Sequence, residues 1–471
     1  MDNKYKRLGV NTILLLIGGA GAKLFGFAML PFYTRWLTVE DYGLADLVTV
    51  YATLLIGVIA CCIYDALFVI PKGENIDNQK SYFTTSLLFL SASSAFTAFI
   101  FFVIAEISKH LKLEGVFFSY IWLIYAIIIA EIFFKTTQQF CRCINKMVLF
   151  SLSGVMLTVF TALFSFVFIP VFGVKGYVVA MALSYIVSSL VTLIFSKSYK
   201  FISWNHLSIH KLREMLCYSI PLIPNAIMWW IVEALNRPLM EKYVGLAGIG
   251  TYAIASKFPG LLSIINSSFN TSWQISVMEE FGKEDYKDFY NNIFKLIFIV
   301  LSFVLVVVTL ASRWLVEILT TPDFYSAWKY IPLLTLGVLF SNIGGLVGSN
   351  FSASRESKYY FYSSLWATIT ALLLNIILIP AWGIWGAAIS ALSSFVSISV
   401  SRIIYSWKYV QIDNKSYYFL VLFADIVLMV LLIHEANSFV IILNLVVLFY
   451  LHFKGLNSTV ISKLRKLWIR H

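Results

Sequence analysis

The stretch TVFTALFSFVFIPVFGVKG at residues 158–176 returns as TITALLLNIILIPAWGIWG at residues 368–386. Both carry I-P-x2-G-x2-G, and Pro380 follows Pro170 by 210 residues. A second pair keeps nearly the same spacing. PFYTRWLTVEDYG at 31–43 and PLMEKYVGLAGIG at 238–250 both fit P-x3-[RK]-x7-G, and 207 residues separate Pro31 from Pro238, Arg35 from Lys242 and Gly43 from Gly250. Ser184 and Ser394 continue the register of the first pair. Proline and glycine punctuate helix ends in any chain, but two motifs in one order at nearly one offset mark an internal duplication.

The residues around these motifs are apolar. Of 471 residues, 60% are hydrophobic and 13% are charged. Soluble domains carry about 25% charged residues, so this chain cannot clothe a water-facing surface over its length. Disordered, collagen-like and disulfide-scaffold classes are excluded as well, which leaves a polytopic membrane protein. A hydrocarbon core about 30 Å thick takes ~20 apolar residues per helix, and about fourteen such segments are present. They lie near 10–33, 43–70, 82–105, 117–138, 147–171, 175–196, 215–236, 247–275, 292–312, 330–350, 359–380, 384–407, 416–433 and 437–453. The runs are apolar on all sides, without the period-two alternation of a barrel strand. Six helices separate the motif copies, an even number, so the halves run in the same direction and are related by an axis along the membrane normal. The expected fold is all-α. An N-lobe of helices 1–6 occupies residues 1–200, and a cytoplasmic linker 201–213. A C-lobe of helices 7–12 follows at 214–410, and helices 13–14 with a basic tail at 411–471.

Lys+Arg is 35 and Asp+Glu is 24, a net charge of +11. In a soluble protein this excess would suggest nucleic acid. Here it follows the loop bias of membrane proteins: with the N-terminus inside, about 25 cations fall on cytoplasmic connections and tails and about 8 outside. Both termini are therefore expected in the cytoplasm, with no nucleic-acid partner. Lys23 and Lys257 remain within spans. Lys4, Lys6 and Arg7 before the first span, and Ala20-Gly21-Ala22 after its start, imitate a signal peptide. The apolar run resumes from Leu24 to Phe32, so an uncleaved helix is expected. Of five cysteines, Cys61 and Cys62 sit in an apolar run, Cys141 and Cys143 form a lone C-x-C, and Cys217 is alone. Neither a disulfide framework nor a metal site is expected.

The opening run NTILLLIGGAGAKLFGFAMLPFYTRWLTVEDYGLADLV (11–48) resembles the polysaccharide (O-antigen and capsule) flippase family. So do IGTYAIASKFPGLL (249–262), the twin corners and the 12+2 span count. That family belongs to the multidrug/oligosaccharidyl-lipid/polysaccharide exporter superfamily. The resemblance covers most of the chain and is most specific in spans one, two, seven and eight; the last two spans carry almost nothing diagnostic. It implies a MATE-like fold of two six-helix lobes around a central cavity. It also implies movement of an undecaprenyl-pyrophosphate-linked oligosaccharide across the bacterial cytoplasmic (inner) membrane by alternating access, with no ATP-binding domain. The motifs leave the sugar open. Expected partners are the lipid-linked glycan, the bilayer, a polysaccharide polymerase and a chain-length regulator. No cofactor is expected beyond Na+ or H+ as a coupling ion.

Such a substrate presents a diphosphate, which is costly in a low-dielectric interior unless cations compensate it. Lys23 lies near the middle of span one, ~15 Å from either boundary at ~1.5 Å per residue, too deep to snorkel. Gly18, Gly19, Gly21 and Gly26 surround it. The competing reading pairs it with a buried acid such as Asp46 or Glu131. Lys257 in span eight precedes Pro259-Gly260, where a kink is expected; the competing reading is a lysine near the outer interface. Arg35, at the outer end of span one, is a third diphosphate candidate. Arg237 and Lys242, at the outer end of span seven, are an outer gate or an anchor. Glu233 and Arg237 stand at i,i+4, so a helical ion pair is the simpler reading there. Glu131 and Lys135 share that spacing. The sharper reading makes Glu131, with Asp46, a protonatable or sodium-sensing coupling site, and Asp65 and Asp425 are weaker alternatives. For the glycan, Asn266, Asn270 and Gln274 recur at i, i+4 and i+8 beside Trp273, offering amides for hydroxyls and an aromatic face for a sugar ring. Interhelical hydrogen bonding is the other reading. Pro221 and Pro224 in span seven, with Pro259, are expected hinges.

Two other functions compete. A multidrug or organic-cation exporter of the same fold would need buried acids and aromatics without central cations. A membrane glycosyltransferase or polymerase would need catalytic carboxylates on a substantial polar loop. There is no D-x-D motif, and no connection exceeds ~20 residues. The expectation is a transporter and not an enzyme.

Overall fold

The computed structural model describes residues 21 and 24–469, with side chains at all of these except 261, 263–268, 271–272 and 458–469. All regular structure among them is helical. In chain order the helices are α1 Leu30–Trp36, α2 Val39–Ile59, α3 Ile63–Val69, α4 Ile76–Leu111, α5 Val116–Ser119, α6 Ile121–Cys143, α7 Met147–Phe195, α8 Ile209–Ser219 and α9 Ile223–Ala234. They continue as α10 Asn236–Tyr243, α11 Gly245–Lys257, α12 Gly260–Glu280, α13 Tyr286–Leu319, α14 Ile331–Ala353, α15 Lys358–Trp382, α16 Ile384–Ser406, α17 Lys415–Ile433 and α18 Ser438–Ile469. Local chemistry sets the starts. Thr38 opens α2 with a capping box, its Oγ1 accepting from Asp41 N at 3.1 Å while Asp41 Oδ2 accepts from Thr38 N at 3.4 Å. Asn75 opens α4 by accepting from Asn78 N at 2.8 Å. Each side chain satisfies a backbone donor that the first turn leaves open.

Among the described residues, 11 helical stretches are long and apolar enough to cross a membrane, and the chain is a multi-pass membrane protein. The expected fourteen differ from these for identifiable reasons. Span one falls mostly outside the described residues. Spans five and six run together in α7, and span eight is broken between α11 and α12.

The repeated corner explains α7. A helix of 49 residues would be about 74 Å long if straight, far beyond a bilayer. Gly173 has φ 56° and ψ −136°, outside the helical region. Gly383, between α15 and α16, has φ 54° and ψ −125°. Three residues further on, a Cβ at Gly176 would overlap the carbonyl of Phe168, and one at Gly386 would overlap that of Leu378. Residues eight apart on a straight helix are about 12 Å apart, so in both places the chain has doubled back. The two halves thus repeat the same turn, with glycine required at matching positions.

The chain divides after Ala253 into two compact units. The first unit runs beyond the expected linker at 201–213, because α9, α10 and α11 pack with α2. The Trp230 indole, for example, donates to Val50 O at 3.0 Å. In the second unit α12 to α16 pack in sequence, and α13, α17 and α18 form a three-helix group around Val306, Ala424, Leu428 and Leu448.

Candidate functional site

Two repeated glycines meet in the first unit. Gly43 lies in the second turn of α2 and Gly250 in the second turn of α11. A Cβ on Gly43 would overlap the carbonyl of Leu246, and one on Gly250 would overlap the carbonyl of Val39. Val39 and Leu246 are themselves separated by the 207-residue offset. The two copies of P-x3-[RK]-x7-G therefore cross about a local two-fold, backbone against backbone, and any side chain at either glycine would force the helices apart.

Charges surround this crossing. Arg237 Nε lies 3.4 Å from Asp46 Oδ2 on α2, and the guanidinium sits over the Tyr252 ring, 4.8 Å from its centroid. Its NH1 donates to Asn236 Oδ1 at 3.0 Å and to the Glu233 carbonyl. The i,i+4 spacing pointed to the Glu233 carboxylate; the arginine instead takes the backbone oxygen of Glu233 and gives its charge to Asp46. Asn236 Nδ2 donates to the Tyr252 hydroxyl at 2.7 Å. Glu241 accepts from the Tyr51 hydroxyl at 2.9 Å and from Val116 N at 2.5 Å. Arg35 is exposed in the last turn of α1, and Lys242 is exposed with its ammonium 5.4 Å from the Tyr243 ring.

Deeper in this unit Glu131 on α6 is buried. Its carboxylate meets Lys135 Nζ at 2.9 Å and accepts from the Tyr185 hydroxyl. Lys135 lies 5.5 Å from the Tyr64 ring, and Arg142 covers Phe68 at 3.8 Å. Both carboxylates expected for ion coupling, Glu131 and Asp46, are thus held by a cation.

The expected hinges fall at irregular backbone. Between α8 and α9 a 3-10 turn, Ile220–Leu222, carries Pro221 and leads into Pro224 at the head of α9. Pro259 occupies the gap between α11 and α12. Lys257, the last residue of α11, is exposed and has no ion-pair partner among the described residues. Lys23 lies outside the described residues, as does the side chain of Asn266.

The amide stripe on α12 faces a neighbour. Trp273 is buried, donates its indole N–H to Leu346 O at 3.0 Å, and has the Phe289 ring stacked at 5.8 Å. It does not present the free aromatic face expected for a sugar, because α14 and α13 pack against it through Leu346 and Phe289. Asn270 is half-buried near Gly345, with Oδ1 unpartnered. Gln274 is exposed and donates to Ser352 Oγ at 3.0 Å.

One cation was missed. Arg402 reads in the sequence as part of the basic cytoplasmic rim, yet it is 6% exposed. Its Nε donates to Ser363 Oγ at 3.1 Å and its NH1 to Gly344 O at 3.0 Å, with the Tyr360 ring 5.1 Å away. No carboxylate pairs with it among the described residues. The only hint lies in Ser397-Ile-Ser-Val-Ser401, a run of small hydroxyls that lets α16 pack tightly up to Arg402. Elsewhere in this unit an apolar groove of about 590 Å³ runs between Leu336, Trp385 and Met429, with Lys329 and His434 also lining it.

The sequence model of one family, described as polysaccharide biosynthesis protein, matches residues 8–278. No curated protein sequence matches the chain. Among solved structures, the lipid II flippase MurJ in an inward closed conformation superimposes with a TM-score of 0.68 at 12% identity, over 96% of this chain and 99% of that one. An inward-facing multidrug resistance MATE family transporter of the MOP superfamily gives 0.67 at 14% identity, over 82% and 93%. A MOP superfamily transporter from Pyrococcus furiosus, described as having a binding pocket of reverse polarity, gives 0.56 at 16%, over 84% and 95%. At these identities the likeness is one of fold, and that fold is MATE-like.

Proposed function

The chain belongs to the polysaccharide biosynthesis protein family, and from that premise we propose that it is a flippase for an undecaprenyl-pyrophosphate-linked oligosaccharide. The cargo is an O-antigen or capsule repeat unit. It crosses the bacterial cytoplasmic membrane by alternating access, drawing on an ion gradient. The observation that carries this reading is Lys257, a cation exposed at a helix break inside an apolar segment, with no carboxylate partner among the described residues. Holding a lysine there is costly unless an anion visits it, and a diphosphate is such an anion. Lys23 is its expected counterpart in the first repeat, and Arg35 a third contact. Gln274, with Ser352, offers polar groups to glycan hydroxyls, and the apolar groove beside Trp385 suits a prenyl chain. With both termini in the cytoplasm, the starts of α2 and α11 lie at the outer face. The Gly43–Gly250 crossing and the Arg237–Asp46 pair then form a closed outer gate, which must part to release the glycan. The likeness in fold to a protein named as the lipid II flippase MurJ supports the reading. The polymerase and the chain-length regulator would act on the released product.

The test is transport in proteoliposomes carrying an undecaprenyl-pyrophosphate-linked oligosaccharide. Lys257→Gln should slow glycan translocation at least tenfold at unchanged protein incorporation, and Lys257→Arg should retain most of it. Export of organic cations, with no movement of the lipid-linked glycan, would overturn the proposal in favour of a multidrug exporter.

A further inference from the structure

Helices α13, α17 and α18 pack through an apolar core, and one polar chain runs across it. Ser302 on α13 donates its hydroxyl to Asp425 Oδ2 on α17 at 2.7 Å. The same Oγ lies 3.0 Å from His452 Nε2 on α18. Ser302 is 0% exposed, Asp425 1% and His452 7%. The second carboxyl oxygen, Oδ1, is buried without a hydrogen-bond partner. No lysine or arginine pairs with Asp425 among the described residues.

The direction of the bonds constrains the protons. While Asp425 is ionised, Ser302 spends its one hydrogen on it, so at His452 the serine oxygen accepts from Nε2–H. Donors therefore run from histidine to serine to aspartate. A carboxylate beside a neutral imidazole would leave one net negative charge in an apolar bundle, which is costly. A single added proton removes that charge. It can rest as an imidazolium opposite a carboxylate. Alternatively, the Nε2 proton passes to Ser302 Oγ while the serine proton passes to Asp425 Oδ2, leaving a neutral imidazole and a neutral carboxylic acid. Both forms hold the same number of protons and no net charge.

We propose that Asp425, Ser302 and His452 form a proton-binding site, and that proton uptake and release there couple a pH gradient to transport. The coupling half rests on the flippase reading; the site itself does not. Asp425 stands 11 positions into α17 counting from Lys415, about 15 Å along the helix. The other groups lie toward the end where α13 and α17 begin and α18 leaves its span. On α17 the Tyr417 hydroxyl donates to Leu451 O at 3.3 Å, next to His452. On α13 the Lys295 ammonium lies 5.0 Å from the Tyr417 ring. On α18 His452 itself is the titratable group facing inward. With both termini in the cytoplasm these groups lie on the cytoplasmic side of the carboxyl group, and the site would give the two helices outside the repeat a role.

The experiment is infrared difference spectroscopy of the purified full-length protein in liposomes between about pH 5 and 9. A carboxylic-acid carbonyl band should grow on acidification and be missing in D425N. In S302A the band should persist with its midpoint displaced, and H452Q should move the midpoint by about one pH unit or more. An Asp425 band that is constant across the range would overturn the proposal from the wild-type protein alone, whatever the variants do. Displacement of the band by sodium at fixed pH would overturn the assignment to a proton. In the glycan assay, D425N should lose the response to an imposed pH gradient, and wild-type transport indifferent to that gradient would overturn the coupling. A titrating Asp425 in a protein that moves no glycan would instead sink the flippase reading and leave the site standing.

Discussion

The two units handle buried charge in opposite ways. In the first, Glu131 meets Lys135 at 2.9 Å and Asp46 meets Arg237 at 3.4 Å. In the second, Arg402 and Asp425 are more deeply buried than any of those cations, and neither has an opposite charge within ion-pair distance among the described residues. Glu131 and Lys135 pair within α6, but Arg237 on α10 and Asp46 on α2 stay paired only while their helices keep register, because moving one strands the other in a poor solvent. Single charges must be neutralised differently. Arginine cannot shed its proton, so Arg402 is solvated by a backbone carbonyl, a hydroxyl and a ring. Aspartate can take one up, and Asp425 has the hydroxyl and imidazole to pass it along. The first unit therefore holds its buried carboxylates with cations, in the Arg237–Asp46 case across two helices, and the second unit ties its buried carboxyl group to proton supply.

This contrast can be broken by substitution. The largest effect is expected from Lys135→Met, which leaves Glu131, with a side chain 8% exposed, without a cation among the described residues. Breaking a buried pair from one side costs about 3 kcal/mol or more, to be read as lowered thermal stability in detergent. Adding Glu131→Gln should restore most of the loss, because the stranded charge has gone. A single variant as stable as the parent would end the paired description. Arg402→Met should cost about 2 kcal/mol, less than Lys135→Met, because it orphans only neutral acceptors. A larger loss than that of Lys135→Met would mean an anion compensates Arg402. Asp425→Asn should cost under about 1 kcal/mol, since an amide replaces a proton-bearing carboxyl of the same shape and, like it, offers Ser302 both a donor and an acceptor. A loss matching that of Lys135→Met would mean the carboxyl group is held ionised.

The same contrast marks what could be read from the sequence. The corner glycines are legible because a repeat announces itself by spacing, and the spacing that pairs Gly43 with Gly250 matches their contact in the fold. The break at Pro259 was legible because proline interrupts a helix wherever it falls. The Arg237–Asp46 pair was not. Position 253, the counterpart of Asp46, is alanine, and position 30, the counterpart of Arg237, is leucine, so the repeat carries no trace of it. Local i,i+4 spacing pointed instead to Glu233. Trp273 satisfies its indole on a backbone carbonyl, a partner with no residue signature. Arg402 is not legible as a buried cation because its solvating groups are a carbonyl, a serine and a tyrosine, none of which reads as a counter-charge. Of the diphosphate candidates, Lys257 stands exposed at the position its motif suggested, while Lys23 falls outside the described residues.

The smallest expected effect concerns an exposed ion pair of the second unit, and it sharpens the contrast by exposure. Lys408, just past α16, pairs with Glu356 between α14 and α15, and the Tyr409 hydroxyl donates to the same carboxylate. Those hydrogen bonds, Lys408 first, hold the Glu356 carboxyl below its ordinary range. The sign follows. A depressed carboxyl adds stability above its unfolded value, and that contribution drains away as the pH falls past about 4.3 and through the lower folded value. The parent should therefore lose slightly more thermal stability on acidification to about pH 3 than Glu356→Gln does, and salt should shrink the difference because the pair is exposed. Equal acid sensitivity in parent and variant would show that the latch adds nothing to folding. A difference as large as that from Lys135→Met would mean a water-facing pair matches a buried one, and burial would then not be what separates the charges of the two units.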